Sequence, residues 1–389
     1  MKTITSAQVE FKRVIVRADL DVSLNEHLDI INSSRIDELF PTIHFLHKKK
    51  ARIIILGHLG RPNGKINTRL SLHPIYKYLK EKLSYQINFI SSWNFTEIKR
   101  YIMRMQPSEI LLLENTRFLS GEVLNTSKLK KQLASLGEVF VNDAFATSHR
   151  MHASNYGIST FLPTFAGLAI EKEINKIQEI TENLQHPLVV IIGGNKTKEK
   201  IGVIEGMLPY ADIFFFGGVI GNTFLKAQGY NIGTSMVNDT LFEDVRRLII
   251  KAKELGKKFI YPKDVVLIDS SEVDQKISTS VVKIPNNMSI GDIGAQTISH
   301  IIQQLQTARM IFWSGPLGKY ENVKLSIGTK SIFSAIQKLR IPSIIGGGDT
   351  ISAVEPYTQK KKHIYLSLGG SALLALLENK TLPVLALLK

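Results

Sequence analysis

The sequence predicts an α/β protein of two domains, each built on a parallel sheet. Two observations predict it. Short apolar runs alternate with helical patterns along the whole chain, the arrangement that parallel strands with crossover helices require. The chain also has 389 residues, a length that suggests two ordinary cores rather than one. In such sheets ligands bind beyond the C-terminal ends of the strands, so the residues that follow each run carry the functional information.

In the first half, Val14-Ile15-Val16 leads into Arg17-Ala18-Asp19-Leu20-Asp21, and Ile53-Ile54-Ile55-Leu56 into Gly57-His58-Leu59-Gly60-Arg61-Pro62. Ile110-Leu111-Leu112-Leu113 leads into Glu114-Asn115-Thr116-Arg117-Phe118, and Val139-Phe140-Val141 into a stretch ending Ser148-His149-Arg150. Arg35 opens a helical stretch over 36–48. Arg17, Arg35, Arg61, Arg117 and Arg150 thus gather at ligand-binding edges. Guanidinium forks match carboxylate and phosphate bidentately, so the pattern predicts an anion pocket.

The second half ends its strands in glycine. Residues 188–192 precede Gly193-Gly194-Asn195-Lys196, and 213–216 precede Gly217-Gly218. Residues 310–312 precede Trp313-Ser314-Gly315-Pro316, Ser343-Ile344-Ile345 precedes Gly346-Gly347-Gly348-Asp349-Thr350, and 364–368 precede Gly369-Gly370-Ser371. Glycines let backbone N–H groups approach an anion, and a helix start adds positive dipole. Lys196 and Lys200, four apart, share a face if a helix starts there. The pattern predicts a nucleotide-phosphate cradle, with Asp349 able to hold Mg²⁺. The fingerprints G-x-x-x-x-G-K-[ST] and G-x-G-x-x-G are absent, as are the H-R-D and D-F-G pair, which excludes a standard P-loop ATPase and a protein kinase. Between the halves, residues 168–183 read as an amphipathic helix with Ile170, Ile174, Ile177 and Ile180 at helical spacing; a hinge and an ordinary crossover helix both fit.

Composition limits the remaining classes. There are no cysteines, so disulfides and thiolate metal sites are excluded. No apolar run approaches the roughly 20 residues of a membrane helix, and the first residues lack the apolar stretch of a signal peptide; the expectation is a cytoplasmic protein. His44 and His47, and His149 and His152, are spaced as helix-surface residues rather than as a zinc site. The net charge of +15 and pI near 9.6 fit either anionic partners or a lysine-rich surface. Lys48-Lys49-Lys50 and Lys360-Lys361-Lys362 lack interleaved aromatics, so no nucleic-acid partner is expected.

Eight segments together resemble phosphoglycerate kinase, in order: 16–22, 58–62, 114–118, 141–150, 193–196, 223–229, 315–318 and 346–350. The resemblance runs from about residue 12 to the C-terminus. It implies two doubly wound, Rossmann-like domains joined by a hinge helix, with the C-terminal segment packing back on the N-terminal domain. The implied boundaries are 1–167 for a 3-phosphoglycerate domain, 168–184 for the helix, 185–372 for a nucleotide domain and 373–389 for the returning segment. The implied activity is reversible phosphoryl transfer between 1,3-bisphosphoglycerate and ADP, by direct in-line transfer with domain closure, in a monomer that uses Mg²⁺ as MgATP or MgADP. Asp19, Leu20, Asp21, Arg35, His58, Leu59, Gly60, Arg61, Arg117 and Arg150 would bind the acid. Gly193, Lys196, Lys200, Gly217, Gly218, Pro316, Glu321, Gly347, Gly348, Asp349 and Thr350 would bind the nucleotide. Arg35, Lys196, Gly369 and Gly370 would stabilise the transferring group, and Asp349 would hold the metal.

Departures from the family pattern cluster at the site. Asp21 stands where the family has Asn; at about 4 Å and an effective dielectric near 20, its charge would repel an anionic substrate by on the order of 4 kcal/mol unless it turns away or is absorbed. Ser314 replaces an Asn, Lys319 an apolar residue and Leu368 a Thr. An active kinase and a catalytically weakened or regulatory binding protein on the same fold both remain open at this point.

Overall fold

The first parallel sheet is built from Arg13–Ala18 (β1), Arg52–Leu56 (β2), Ile87–Ile90 (β3), Ile110–Leu113 (β4), Val139–Asp143 (β5) and Thr164–Ala166 (β6), in the order β3-β4-β2-β1-β5-β6. Every pairing in it is parallel. The strands are short continuous apolar runs because both faces are covered. Alternate residues enter different cores: Val14, Val16, Ile53, Ile55 and Val141 pack into one, Ile15, Ile54, Leu111, Leu113 and Phe140 into the other. That split is the period of two acting in a sheet wound on both sides.

This computed structural model describes residues 1–269, 276–357, 361–369, 371–377 and 382–388. The chain divides into two compact units, Met1–Ile177 with Thr381–Lys389, and Gln178–Lys380. Gly370 and Lys360 lie outside the described residues. No helix among the described residues is long and apolar enough to cross a membrane.

The second unit holds Leu188–Ile192 (β7), Ile213–Phe216 (β8), Lys258–Ile260 (β9), Asp264–Asp269 (β10), Lys276–Ser280 (β11), Met288–Ile293 (β12), Met310–Ser314 (β13), Ser343–Gly346 (β14) and Ile364–Ser367 (β15). Its parallel sheet runs β15-β14-β13-β7-β8-β9. A separate sheet, β11-β10-β12, is antiparallel, an element the strand–helix alternation did not reveal. One face of the parallel sheet packs Val189, Ile191, Phe215, Ile311, Trp313 and Ile345. On the other, Phe216 stacks on Phe224, with ring centroids 4.3 Å apart.

Helix Leu168–Glu182 crosses the division between the units. Ile170 and Ile177 are buried, Ile174 only partly; the side chain of Ile180 lies outside the described residues. Asp143, at the end of β5, caps this helix by accepting the N–H groups of Ala169 and Ile170 at 2.9 and 3.2 Å. The last described residues join the first unit: Lys2 donates its N–H to the Leu388 carbonyl at 2.5 Å and Val384 to the Ser148 carbonyl at 3.3 Å. Leu373, by contrast, is buried against Gly346 of the second unit, so the return begins later than residue 373.

Candidate active site

In each parallel sheet the strand order reverses beside the first strand of its unit, and there ligands bind in such folds. In the first unit this is the C-terminal edge of β1, β2 and β5. Arg17, the one charge inside the apolar run of β1, is fully buried. Its Nε donates to Ser154 Oγ at 3.0 Å, one terminal nitrogen donates to the Ala18 carbonyl, and the other lies 2.8 Å from His58 Nδ1. A guanidinium can only donate, so His58 Nδ1 accepts and the neutral ring carries its proton on Nε2. Glu122, buried nearby, accepts the Ser154 hydroxyl at 2.5 Å and its N–H at 3.0 Å, which places a countercharge behind Arg17.

His58 Nε2 stands 3.6 Å from Asp21 Oδ2, long for a full hydrogen bond but close for charge. Asp21 Oδ1 accepts the Gly60 N–H at 2.8 Å. Gly60, at a φ of +62° that suits glycine, turns its carbonyl to Arg117, which donates at 2.6 Å. Arg35 donates to the Asp21 carbonyl at 3.2 Å and lies 3.5 Å from Asp19 Oδ1. Burial pushes the Asp21 carboxyl up, but His58, the Gly60 N–H and Arg35 together hold it well below the usual carboxylate range. Burial, with Arg17 and Arg117 adding to it, brings His58 down to about 4. Burial and the neighbouring Arg150 lower the Arg117 guanidinium to about 10. The acid expected to oppose the ligand is thus turned onto Gly60 and His58.

The second site lies where β7, β13 and β14 end. Gly193 and Gly194 donate to the Ser314 and Pro316 carbonyls, Gly217 and Gly218 to those of Ile192 and Leu317. A Cβ on Gly315 would lie 2.0 Å from the Gly193 oxygen, so the glycines permit close backbone approach. This corrects the expectation that they offer bare N–H groups: those of Gly193, Gly217 and Gly218 are already bonded. Above this floor, Gly194, Asn195, Lys196, Glu199, Lys200, Gly315, Gly347, Gly348, Asp349 and Thr350 line a small cleft. Lys196, at the N-terminus of helix Thr197–Met207, and Asp349 are exposed. Lys200 is buried, and its Nζ donates to Ser314 Oγ at 2.5 Å. Burial, only partly offset by Glu199 and Asp349, pushes the Lys200 ammonium down to about 7.

Several of the expected residues are turned inward or engaged within the protein. Leu20 and Leu59 are buried in the apolar core, and the Leu59 carbonyl accepts from Asn115 at 2.7 Å, so both side chains face the core. Thr350 is buried, its hydroxyl accepting from Gly315 N–H at 2.7 Å and donating to the Gly346 carbonyl at 2.9 Å; these two bonds fasten the loop. Gly369 N–H faces Ser367 Oγ at 3.3 Å. Arg61, Glu321 and Lys319 are exposed. Arg150 Nε lies 3.0 Å from His149 Nε2.

Sequence reasoning passed over Glu122, Ser154 and His152 as site residues, and counted Arg17 in the anion edge without giving it a role of its own. His152 is no helix-surface residue: it is buried, outside any helix, and burial with Arg117, Arg17 and Arg150 around it pushes its imidazole down to about 3. The signal available was Arg17 itself, a charge interrupting a strand. His44 and His47 do sit on a helix, Phe40–Lys48, where His47 stacks on Tyr85. Among the described residues no three acids or histidines group to hold a metal.

A family model for phosphoglycerate kinase matches residues 4–380. Phosphoglycerate kinase of Pseudothermotoga lettingae is 37% identical over 387 residues, covering 98% of both chains. That of Coprothermobacter proteolyticus is 38% identical over 387 residues, covering 99% of this chain and 98% of its own. The solved structure of phosphoglycerate kinase from Coxiella burnetii superimposes with a TM-score of 0.82 at 35% identity, over 99% of this chain and 98% of that one. The similarity is unbroken across both units and takes in both clefts: the chain belongs to the phosphoglycerate kinase family.

Proposed function

We propose that the first unit binds 3-phosphoglycerate or 1,3-bisphosphoglycerate and the second binds ADP or ATP. As a member of its family the protein catalyses reversible phosphoryl transfer between 1,3-bisphosphoglycerate and ADP, giving 3-phosphoglycerate and ATP, a step of glycolysis. The observation that carries the assignment is the arginine cluster at the edge of β1, β2 and β5. Arg17, Arg35, Arg117 and Arg150, with Asp19, Asp21 and Glu122 as the acids among them, leave the cluster cationic. Phosphate and carboxylate of the acid suit that charge. Arg61, exposed at the same edge, is free to turn to the phosphate.

On the nucleotide side, Lys196 and Lys200 face the phosphates, and Glu321 reaches the ribose. The first N–H groups of helix Gly348–Val354 lack intrahelical acceptors. Asp349 is the carboxylate placed to hold Mg²⁺. The fit is that of a cation held mainly by substrate: one protein carboxylate suits an ion whose other positions are filled by phosphate oxygens and water. Such an ion neutralises charge on the phosphates. Lys196 and Arg35 stabilise charge on the transferring group, which needs positioning rather than a covalent nucleophile. A monomeric state and a cytoplasmic location belong to the same proposal, supported by the family resemblance.

The test is a coupled assay with 3-phosphoglycerate and MgATP at millimolar concentrations, run beside Lys196→Ala. Turnover that falls in the variant is expected. No turnover by protein shown to be folded, or equal turnover by the variant, overturns the assignment.

A further inference from the structure

We propose that Ser314 is a positioning residue for the reaction, its buried hydroxyl holding the Lys200 ammonium at the floor of the phosphate cleft. This rests on the reading of that cleft as the nucleotide-phosphate site. Ser314 is the last residue of β13 and is fully buried, on the strand face opposite the core-packed Trp313. Lys200 lies in the first turn of helix Thr197–Met207 and is 5% exposed. The two meet at 2.5 Å. Ser314 Oγ lies beneath the turn into helix Gly348–Val354, 3.6 Å from where a Cβ on Gly347 would sit. The other hydroxyl there, on Thr350, is engaged by Gly315 and Gly346, so it does not substitute for Ser314.

An ammonium has three donors and no acceptor. Ser314 takes one, which aims the remaining N–H bonds away from the strand. The charged groups around the amine are Glu199 and Asp349, which favour the ammonium, and Lys196, which opposes it. Burial disfavours the charged form more than these restore it, so a short acceptor at Nζ matters to both the aim and the charge of the group. Where the family pattern has Asn, this chain supplies the acceptor at Lys200 Nζ with a hydroxyl.

Calorimetric binding of MgADP to the full-length protein tests this, using wild type, Ser314→Ala, the near-isosteric Ser314→Cys, Ser314→Thr, Lys200→Met and the Ser314→Ala/Lys200→Met double variant. Removing a hydrogen bond to a charged group predicts binding weakened about tenfold in Ser314→Ala and Ser314→Cys. Ser314→Thr, which keeps the hydroxyl, restores affinity to within about threefold of wild type. In the Lys200→Met background Ser314→Ala has no further effect, because Ser314 acts through Lys200. Full additivity in that cycle overturns the proposal, as does wild-type affinity in Ser314→Cys. If wild type itself fails to bind MgADP, the nucleotide reading of the cleft fails first, and the proposal with it.

Discussion

Asp21 Oδ1 accepts the Gly60 N–H at 2.8 Å. Through that bond the acid reaches Arg117, because the Gly60 carbonyl accepts from Arg117 at 2.6 Å. Its other oxygen faces His58, whose proton the Arg17 guanidinium confines to Nε2. The carboxylate is therefore bonded to the Gly60 N–H and held 3.6 Å from His58 Nε2, so its charge is taken up within the protein. A charge facing the substrate at about 4 Å would weaken binding by on the order of 4 kcal/mol, roughly a thousandfold. Asp21→Asn should accordingly change KM for 3-phosphoglycerate by no more than about threefold, while Asp21→Ala, which leaves the Gly60 N–H unpaired, should raise it about tenfold. Steady-state kinetics of both variants check this. An Asp21→Asn enzyme whose KM falls a hundredfold or more would mean that the charge does face the ligand.

The same contact marks what the sequence could convey. The alternation of runs and helices was legible because two covered sheet faces leave continuous apolar strands, as in Val14-Ile15-Val16. The anion edge was legible because Arg35, His58, Arg117 and Arg150 each follow a strand or open a helix. What was not legible is direction. That Asp21 turns to Gly60, that Thr350 turns inward and that Leu20 enters the core all depend on contacts between segments far apart in the chain. The antiparallel sheet of β10, β11 and β12 escaped for a related reason: strands such as Lys276–Ser280 and Met288–Ile293 are only partly apolar, so their pairing is set by partners rather than pattern. His152 was misplaced because i,i+3 spacing implies a shared face only inside a helix, and residues 148–152 form none.

Asp143 links the end of β5 to the start of helix Leu168–Glu182. Burial raises its carboxyl to about 7, although Thr42 and the N–H groups of Ile170 and Ala169 favour the charged form. A raised carboxyl binds its proton more tightly folded than unfolded. Between about pH 4 and 7 the folded state holds the extra proton, so its stability declines as pH rises through that window. Asp143→Asn keeps an oxygen for both N–H groups and carries no charge. It should melt above wild type at pH 8, with the gap closing toward pH 5. Thermal melts at the two pH values check it, and a variant less stable than wild type at pH 8 would refute it.

His58 and His152 act with the opposite sign. Burial is the largest cause for both, and they titrate near 4 and 3 when folded, against about 6.5 when unfolded. As pH falls below about 6.5 the unfolded rings take up protons that the folded ones refuse. Stability is then lost at about 1.4 kcal/mol per ring per pH unit until the folded value is reached. Two such rings outweigh Asp143 over the shared range, so this part of the first unit weakens on acidification. His152→Gln, which does not titrate, should lose less stability than wild type between pH 6.5 and 4.5. Parallel losses in urea unfolding would show that the ring is protonated when folded.

The metal should prove to be held by the nucleotide more than by the protein. Asp349 is exposed at the cleft, and among the described residues no three acids or histidines assemble a cage. A lone carboxylate cannot strip water from Mg²⁺ to any useful extent without phosphate oxygens to complete the shell. Chelation with EDTA should therefore abolish turnover while leaving the melting temperature of the nucleotide-free protein unchanged, since ligand binding stabilises only what it binds. Asp349→Ala should raise the Mg²⁺ concentration needed for half-maximal rate and lower kcat by about a hundredfold, the scale expected when one electrostatic partner of the transferring phosphoryl group is removed. Its KM for 3-phosphoglycerate should hold at the wild-type value, because Arg17, His58 and Arg117 belong to the other unit. Kinetics over a Mg²⁺ titration check both arms. A nucleotide-free protein whose melting temperature drops on chelation would instead require a metal site that Asp349 alone does not provide.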